Sequence, residues 1–194
     1  GKPFVGIEVP NRAIATVGLR KLLEHDTYQK GGALAFSLGK DVAGRPVFTD
    51  LARMPHLLIA GSTGSGKSVA IHGFLMSMLF KNSPAMLRLL LIDPKRVELS
   101  IYHGITHLLA PVIVDPKRAI MSLRWAVKEM ERRYERLSET HSRDIIAYNT
   151  ALAKQKHPSE ALMPYIIIVI DELADIMASY GREIEASIVR ISQM

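Results

Sequence analysis

The sequence contains no cysteine, which excludes disulfide bonds and thiolate zinc sites as sources of stability and fits a reducing compartment. It also lacks any apolar run near the roughly 18 residues that a membrane-spanning helix needs, so we expect no membrane contact by this segment. What remains is a chain of 194 residues, 48% of them hydrophobic, that can bury one sizeable core. Its net charge of +6 favours a polyanionic partner only weakly, because an ordinary solvated surface would also carry it.

The most specific motif is the stretch from Gly61 to Ser68, which matches the pattern G-x-x-x-x-G-K-[S/T] at every position. In such a loop the backbone N–H groups surround the α- and β-phosphates of a nucleotide. Lys67 would then reach the β- and γ-phosphate oxygens, and the Ser68 hydroxyl would bind Mg²⁺. A flexible glycine-serine linker is the alternative interpretation.

The flanks of this stretch favour phosphate binding. The apolar segment 56–60 predicts a short buried strand that enters the loop, and apolar residues at helical spacing follow from Val69 to Phe80. A helix that begins here would add its N-terminal amides and its dipole to the anion site. The sequence therefore predicts nucleotide contacts from Gly61, Ser62, Thr63, Gly64, Ser65, Gly66, Lys67, Ser68 and Val69.

A second motif lies at the end of a β-branched run. Residues Tyr165 to Ile170 predict a parallel strand covered on both faces, and the run ends in Asp171 and Glu172. Open α/β sheets bind ligands at this carboxyl edge. We expect Asp171 to hold Mg²⁺, as an acid does at this place in P-loop ATPases, and Glu172 to act with Lys67 in catalysis by deprotonating the attacking water. The alternative is that the two acids only start a helix.

The remaining apolar segments predict an α/β fold. A hairpin is expected between residues 34 and 48, a core strand over 87–92, a shorter strand at 112–114 and a surface loop over 153–164. Asp115 and Pro116 predict the start of a long helix that runs to about Glu139. We divide the chain into a small N-terminal element, residues 1–33, and a core, residues 34–194.

The long helix is also the best candidate for contact with a polyanionic partner, although the signal is weak. Interleaved glutamates favour a solvated, salt-bridged face over a phosphate-tracking one. We expect Trp125 to be buried on this helix. Its basic residues are Lys117, Arg118, Arg124, Lys128, Arg132, Arg133 and Arg136.

Several further blocks occur in one order along nearly the whole chain, at residues 6–11, 38–41, 54–61, 92–95, 98–102, 123–125, 129–134 and 171–175. With the glycine loop and the acidic pair, they resemble the motor domain of the FtsK/SpoIIIE bacterial DNA translocases. That family is a ring-forming, RecA-like branch of the P-loop ATPases. The resemblance implies a three-layer fold with a mostly parallel sheet, and ATP with Mg²⁺ as ligands.

The resemblance also implies a biological setting. A homohexamer would thread double-stranded DNA through its centre during chromosome segregation and cell division. The motor would work on the cytoplasmic side, in a parent protein anchored in the bacterial inner membrane that meets other division or recombination proteins through further domains. In the family, a sensor strand and a trans-acting arginine follow the equivalent of Met194, so we expect a sheet that is incomplete at the C-terminus.

Two other functions stay open. A related ring ATPase of a secretion or conjugation machine would move protein or DNA and share the same motifs. A non-hydrolysing nucleotide switch or structural ring subunit is disfavoured by the presence of Lys67, Ser68, Asp171 and Glu172.

Overall fold

A computed structural model describes residues 15–62, 64–154 and 161–193, together with Val5, Ile7 and Val9. The helices are α1 (Leu19–Leu23), α2 (Asp26–Gln29), α3 (Lys67–Lys81), α4 (Pro116–Glu139), α5 (Ile145–Ala153) and α6 (Leu173–Gln193). The strands are β1 (Ala35–Lys40), β2 (Pro46–Asp50), β3 (Leu87–Ile92) and β4 (Tyr165–Ile170), and short 3₁₀ helices span Leu51–Arg53 and Ser100–Tyr102.

The centre of the fold is a parallel pair of strands. β3 and β4 pair in register from Leu87 with Tyr165 to Ile92 with Ile170. On its other side, β3 forms parallel bridges to Leu108 and Ile113. β3 therefore has backbone partners on both edges, as the sequence prediction of a core strand requires.

Successive side chains of β3 point to opposite layers, because side chains alternate along a strand. Leu87, Leu89 and Leu91 pack in a cluster with Ile71, Leu75 and Met78 of α3. Leu90 and Ile92 pack in a second cluster with residues of α4 and α6, including Leu123, Ile176 and Ile184. The result is a helix–sheet–helix sandwich, which confirms the predicted three-layer α/β fold.

The predicted hairpin is present as β1 and β2, which pair antiparallel with a bulge between Ser37 and Gly39. It packs on α3 through Phe36, whose ring centroid lies 4.4 Å from the ring centroid of Phe74. The leading element joins the same surface, because the Tyr28 hydroxyl donates to the Ser77 carbonyl oxygen. The division of the chain at residue 33 stays a prediction, and most of residues 1–14 lie outside the described part.

α4 begins and ends where the sequence predicts. The Asp115 carboxylate accepts a hydrogen bond from the Arg118 backbone N–H at 2.9 Å, as an N-cap does. The prediction that Trp125 is buried is wrong, since 41% of it is exposed. It follows the buried Leu123 by two positions, about 200° around the helix, and so points away from the core.

The segment 56–60 departs most from expectation. It forms no strand, Leu58 is 83% exposed and Leu57 is 43% exposed. The prediction of a buried strand here is wrong, because no described segment supplies the backbone partners that a strand needs. Across the described residues, no helix combines the length and hydrophobicity needed to cross a bilayer.

Candidate nucleotide-binding site

The glycine loop, residues 61–68, turns the chain sharply into α3. Gly64 and Gly66 have φ angles of 80° and 95°, in the left-handed region that favours glycine. A β-carbon on Gly61 would collide with the Ser65 hydroxyl. The Ser65 N–H donates to the Ser62 carbonyl oxygen at 3.0 Å and closes a turn within the loop.

The N-terminus of α3 is open to a ligand. Gly66 is the N-cap residue, and no side chain caps the helix there. The first hydrogen bond of the helix runs from the Ala70 N–H to the Gly66 carbonyl oxygen at 2.9 Å. The amides of residues 67–69 therefore lack an intrahelical acceptor, and such amides bind anions.

The predicted nucleotide contacts lie together at this turn, apart from Thr63, which is outside the described residues. Gly61, Ser62 and residues 64–66 are exposed, whereas Lys67 and Ser68 are half-buried. Val69 is 75% exposed on the first turn of α3. The loop thus presents backbone and hydroxyl groups, rather than apolar side chains, to a ligand.

Lys67 connects this loop to the acidic strand end. Its Nζ donates to the Asp171 carbonyl oxygen at 2.9 Å and to Glu172 Oε2 at 3.3 Å. Asp171 Oδ1 lies 3.4 Å from the same nitrogen. The two motifs, more than a hundred residues apart in the sequence, meet through one ammonium group.

Burial and charge act against each other at this junction. Burial lowers the pKa of Lys67, but the Glu172 hydrogen bond and the charges of Asp171 and Glu172 raise that pKa above its ordinary value. Burial also raises the pKa of Asp171, which the nearby Lys67 ammonium only partly opposes. Asp171 is 8% exposed, so a cation that remains close by favours its ionised form.

The donor set suits a hard cation such as Mg²⁺. Asp171 Oδ1 is buried with the Lys67 ammonium 3.4 Å away as its ion-pair partner, and the Ser68 hydroxyl lies on the first turn of α3. The described residues contain no cluster of three or more His, Cys, Asp or Glu side chains that could hold a metal. Mg²⁺ keeps several waters in protein sites and takes one or two protein ligands, which Ser68 and Asp171 would supply.

The loop that follows β3 spans blocks 92–95 and 98–102, whose individual residues received no role from the sequence. Asp93 is fully buried at the end of β3. His72 Nδ1 lies 2.9 Å from the Tyr102 hydroxyl, and its Nε2 lies 3.8 Å from Glu98 Oε2. The position of Asp93 at a strand end, like that of Asp171, was the signal that could have identified it.

The basic helix α4 lies apart from this site. A groove of about 650 Å³ between α4 and α6 is lined by side chains of both signs, including Arg124, Lys128, Glu131, Arg182, Glu183 and Arg190. Glu129 accepts from Arg132 at 2.8 Å and from Arg133 at 2.7 Å. These pairs agree with the expected salt-bridged face, and the groove offers no helix N-terminus comparable to the glycine loop.

Comparison with known proteins gives one family. The model of the FtsK/SpoIIIE family matches residues 19–194. The DNA translocase FtsK of Oceanobacillus iheyensis is 49% identical over 197 residues, a match that covers 100% of this chain and 25% of the relative. The DNA translocase FtsK of Helicobacter pylori strain J99 is 51% identical over 195 residues, covering 100% of this chain and 23% of the relative. The chain thus spans about a quarter of the length of these relatives.

Two solved structures share the fold. The pCW3 conjugation coupling protein TcpA, in its monomer form with ATPγS, superposes with a TM-score of 0.65 and 30% identity over 87% of this chain and 45% of that one. The cytoplasmic domain of the Thermomonospora curvata type VII secretion ATPase EccC gives a TM-score of 0.67 and 23% identity, over 89% of this chain and 22% of that one.

Proposed function

Because the chain belongs to the FtsK/SpoIIIE family, we propose that it is the nucleotide-binding part of an ATP-driven motor that moves double-stranded DNA. The observation that carries this proposal is the contact of Lys67 Nζ with Glu172 and the Asp171 carbonyl oxygen. That contact brings a phosphate-binding loop and a pair of candidate catalytic acids to one point. Chromosome segregation and cell division are the processes that such a motor would serve.

Each residue has a definite part in this proposal. The free amides at the start of α3 and the glycine loop bind the phosphates of ATP, and Lys67 leaves its acidic partners to contact the γ-phosphate. Ser68 and Asp171 hold Mg²⁺, which when bound neutralises charge on the phosphate oxygens. Glu172 accepts a proton from the attacking water.

Assembly and location belong to the same proposal. A homohexamer around duplex DNA is the arrangement that we expect from the family, with the motor on the cytoplasmic side of a membrane-anchored parent. The relatives named DNA translocase support DNA as the polymer that is moved. The division into residues 1–33 and 34–194 is also proposed, with the first part serving as a support for β1 and α3.

A second candidate function is a ring ATPase of a conjugation or secretion machine. The fold likeness to the coupling protein TcpA, at 30% identity, favours it. Both functions use the same nucleotide site, so the polymer that stimulates hydrolysis separates a DNA motor from a secretion ATPase.

Phosphate release by the full-length protein, with and without duplex DNA, tests the proposal. We expect hydrolysis that depends on Mg²⁺ and rises when duplex DNA is added. The Glu172→Gln variant, which keeps the size and shape of the side chain but cannot accept the proton, is the matched control. It should show neither Mg²⁺-dependent hydrolysis nor a rise in hydrolysis with duplex DNA. A rate of phosphate release that duplex DNA leaves unchanged but a secreted polypeptide increases would favour a secretion ATPase.

A further inference from the structure

Asp93 is a buried carboxylate, and one of its two oxygens has no hydrogen-bond partner among the described residues. It ends β3 and is 0% exposed. Its Oδ2 accepts a hydrogen bond from the Leu99 backbone N–H at 3.0 Å, while its Oδ1 is buried without a hydrogen-bond partner among the described residues. A buried carboxylate oxygen without a partner is costly, so this oxygen calls for a ligand-dependent explanation.

The position of Asp93 places it beside the predicted metal-binding acid. Ile92 and Ile170 are partners in the parallel register, so Asp93 and Asp171 follow neighbouring strand ends. The Asp171 N–H donates to the Ile92 carbonyl oxygen at 3.0 Å. The two carboxylates are close enough that the charge of Asp93 contributes to the raised pKa of Asp171.

No described cation forms an ion pair with Asp93. Lys67, the ammonium group at this edge, lies within 3.4 Å of Asp171 and 3.3 Å of Glu172. Lys95, on the loop that follows β3, pairs with Asp175 at 3.2 Å. A cation or an ordered water between the strand ends would give Asp93 Oδ1 a partner.

We propose that Asp93 is a positioning residue of the metal site: its Oδ1 accepts a hydrogen bond from a water bound to Mg²⁺, while its Oδ2 holds the loop that follows β3. This rests on the proposed function, because it assumes that Mg²⁺ binds at Ser68 and Asp171. Mg²⁺ retains several waters in protein sites. Outer-shell acceptors of this kind change metal affinity by about 10- to 100-fold.

A purely structural role is the competing explanation. The bond from the Leu99 N–H alone could justify Asp93 as a brace for residues 93–102. The Asp93→Asn variant separates the two roles, because its amide oxygen can still accept from Leu99 whereas its NH₂ group cannot accept from a metal-bound water. Glu98→Gln is the matched control, since Glu98 is another carboxylate whose charge reaches Asp171.

The experiment titrates Mg²⁺ against a fluorescent ATP analogue bound to the full-length protein. For Asp93→Asn we expect the Mg²⁺ concentration at half-maximal effect to rise about tenfold or more, with unchanged analogue affinity in EDTA. The Glu98→Gln midpoint should stay within about twofold of wild type, since it removes charge but no acceptor at the metal shell. Asp171→Asn should lose the Mg²⁺ response.

The outcomes separate this inference from the proposed function. An unchanged Mg²⁺ midpoint in Asp93→Asn, with wild type and Asp171→Asn behaving as expected, overturns the role of Asp93 and leaves the site intact. A wild-type protein without any Mg²⁺-dependent nucleotide binding overturns the proposed function itself. If Asp93→Asn does not fold, as judged by thermal melting, Asp93→Ser replaces it, and an unchanged midpoint there counts equally against the inference.

Discussion

The two sides of the candidate site are supported very differently. The acidic side stands on β3 and β4, where Leu89 is 0% exposed and the strands pair along their whole length. The loop side follows segment 56–60, where Leu58 is 83% exposed and no strand forms. Lys67 bridges the two sides.

The difference shows that apolar composition alone does not bury a segment. Both segments are rich in leucine and isoleucine, yet of the two only β3 has backbone partners on each edge and helices packed on each face. An unpaired backbone keeps its N–H and C=O groups in water, because burying them without partners costs free energy. The acidic side is therefore held by strand pairing with β3, and the loop side by its glycine turn and the contacts of Lys67.

Removing Lys67, which bridges the two sides, should have the largest effect on ATP hydrolysis. Lys67→Ala removes the only side-chain cation that the loop offers to the γ-phosphate, and we expect ATP hydrolysis to fall by about 100- to 1,000-fold. Phosphate release by the full-length protein measures it. Lys95→Ala is the control, because Lys95 is a half-exposed lysine at the same sheet edge; turnover of the Lys67 variant equal to this control would overturn the assignment.

The acidic side can be tested alone. Glu172→Gln should still bind Mg-ATP but turn over about 100-fold or more slowly, since a general base contributes at least that much. Calorimetry measures the affinity for Mg-ATP, and phosphate release measures the turnover rate. Loss of Mg-ATP binding in this variant, with Asp171→Asn still binding, would mean that the roles of the two acids are reversed.

The difference in burial predicts unequal stability changes. Leu89→Ala should lower the free energy of unfolding of this chain by about 2–5 kcal/mol, because it opens a cavity in the core. Leu58→Ala should change it by less than about 0.5 kcal/mol. Urea unfolding followed by the fluorescence of Trp125, the single tryptophan, measures both. Similar losses for both variants would show that segment 56–60 is packed as tightly as β3.

A smaller, pH-dependent effect concerns the support of β4. Hydrogen bonds from Arg132 and Arg133 hold the pKa of Glu129 below its usual value, and Arg133 also donates to the Pro164 carbonyl oxygen just before β4. A depressed pKa stabilises the fold above the unfolded-state value near 4.5, and that stability is lost as pH falls through the folded-state pKa.

We therefore expect Glu129→Gln to cost about 1 kcal/mol at pH 7 and close to nothing once pH lies below the folded-state pKa. Unfolding at a series of pH values measures it. Glu139→Gln, which removes a more exposed partner of Arg136, is the control and should change little. A cost for Glu129→Gln that is independent of pH would point to lost packing instead of lost charge.

The sequence predicted much of this architecture, for identifiable reasons. The β-branched run of β4 and the Asp115 cap of α4 are local signals, and the structure reproduces both. Strand pairing is not local, which is why segment 56–60 was predicted wrongly, whereas the exposure of Trp125 follows from its position two residues after Leu123 on α4. The fold brings the glycine loop and the acidic strand end together. The catalytic and metal-binding roles stay predictions for Lys67, Ser68, Asp171 and Glu172. Asp93 lay in the block 92–95 but received no role, because its closeness to Asp171 depends on the pairing of β3 with β4.

Hydrogen–deuterium exchange of the full-length protein, with and without Mg-ATP, tests the central claim most directly. We expect slower exchange at the amides of residues 64–70 when Mg-ATP is added, because those amides gain phosphate acceptors, and no comparable change along the groove between α4 and α6. Lys67→Ala should remove the protection. Protection in the groove, with exchange in the glycine loop unaltered, would contradict the account.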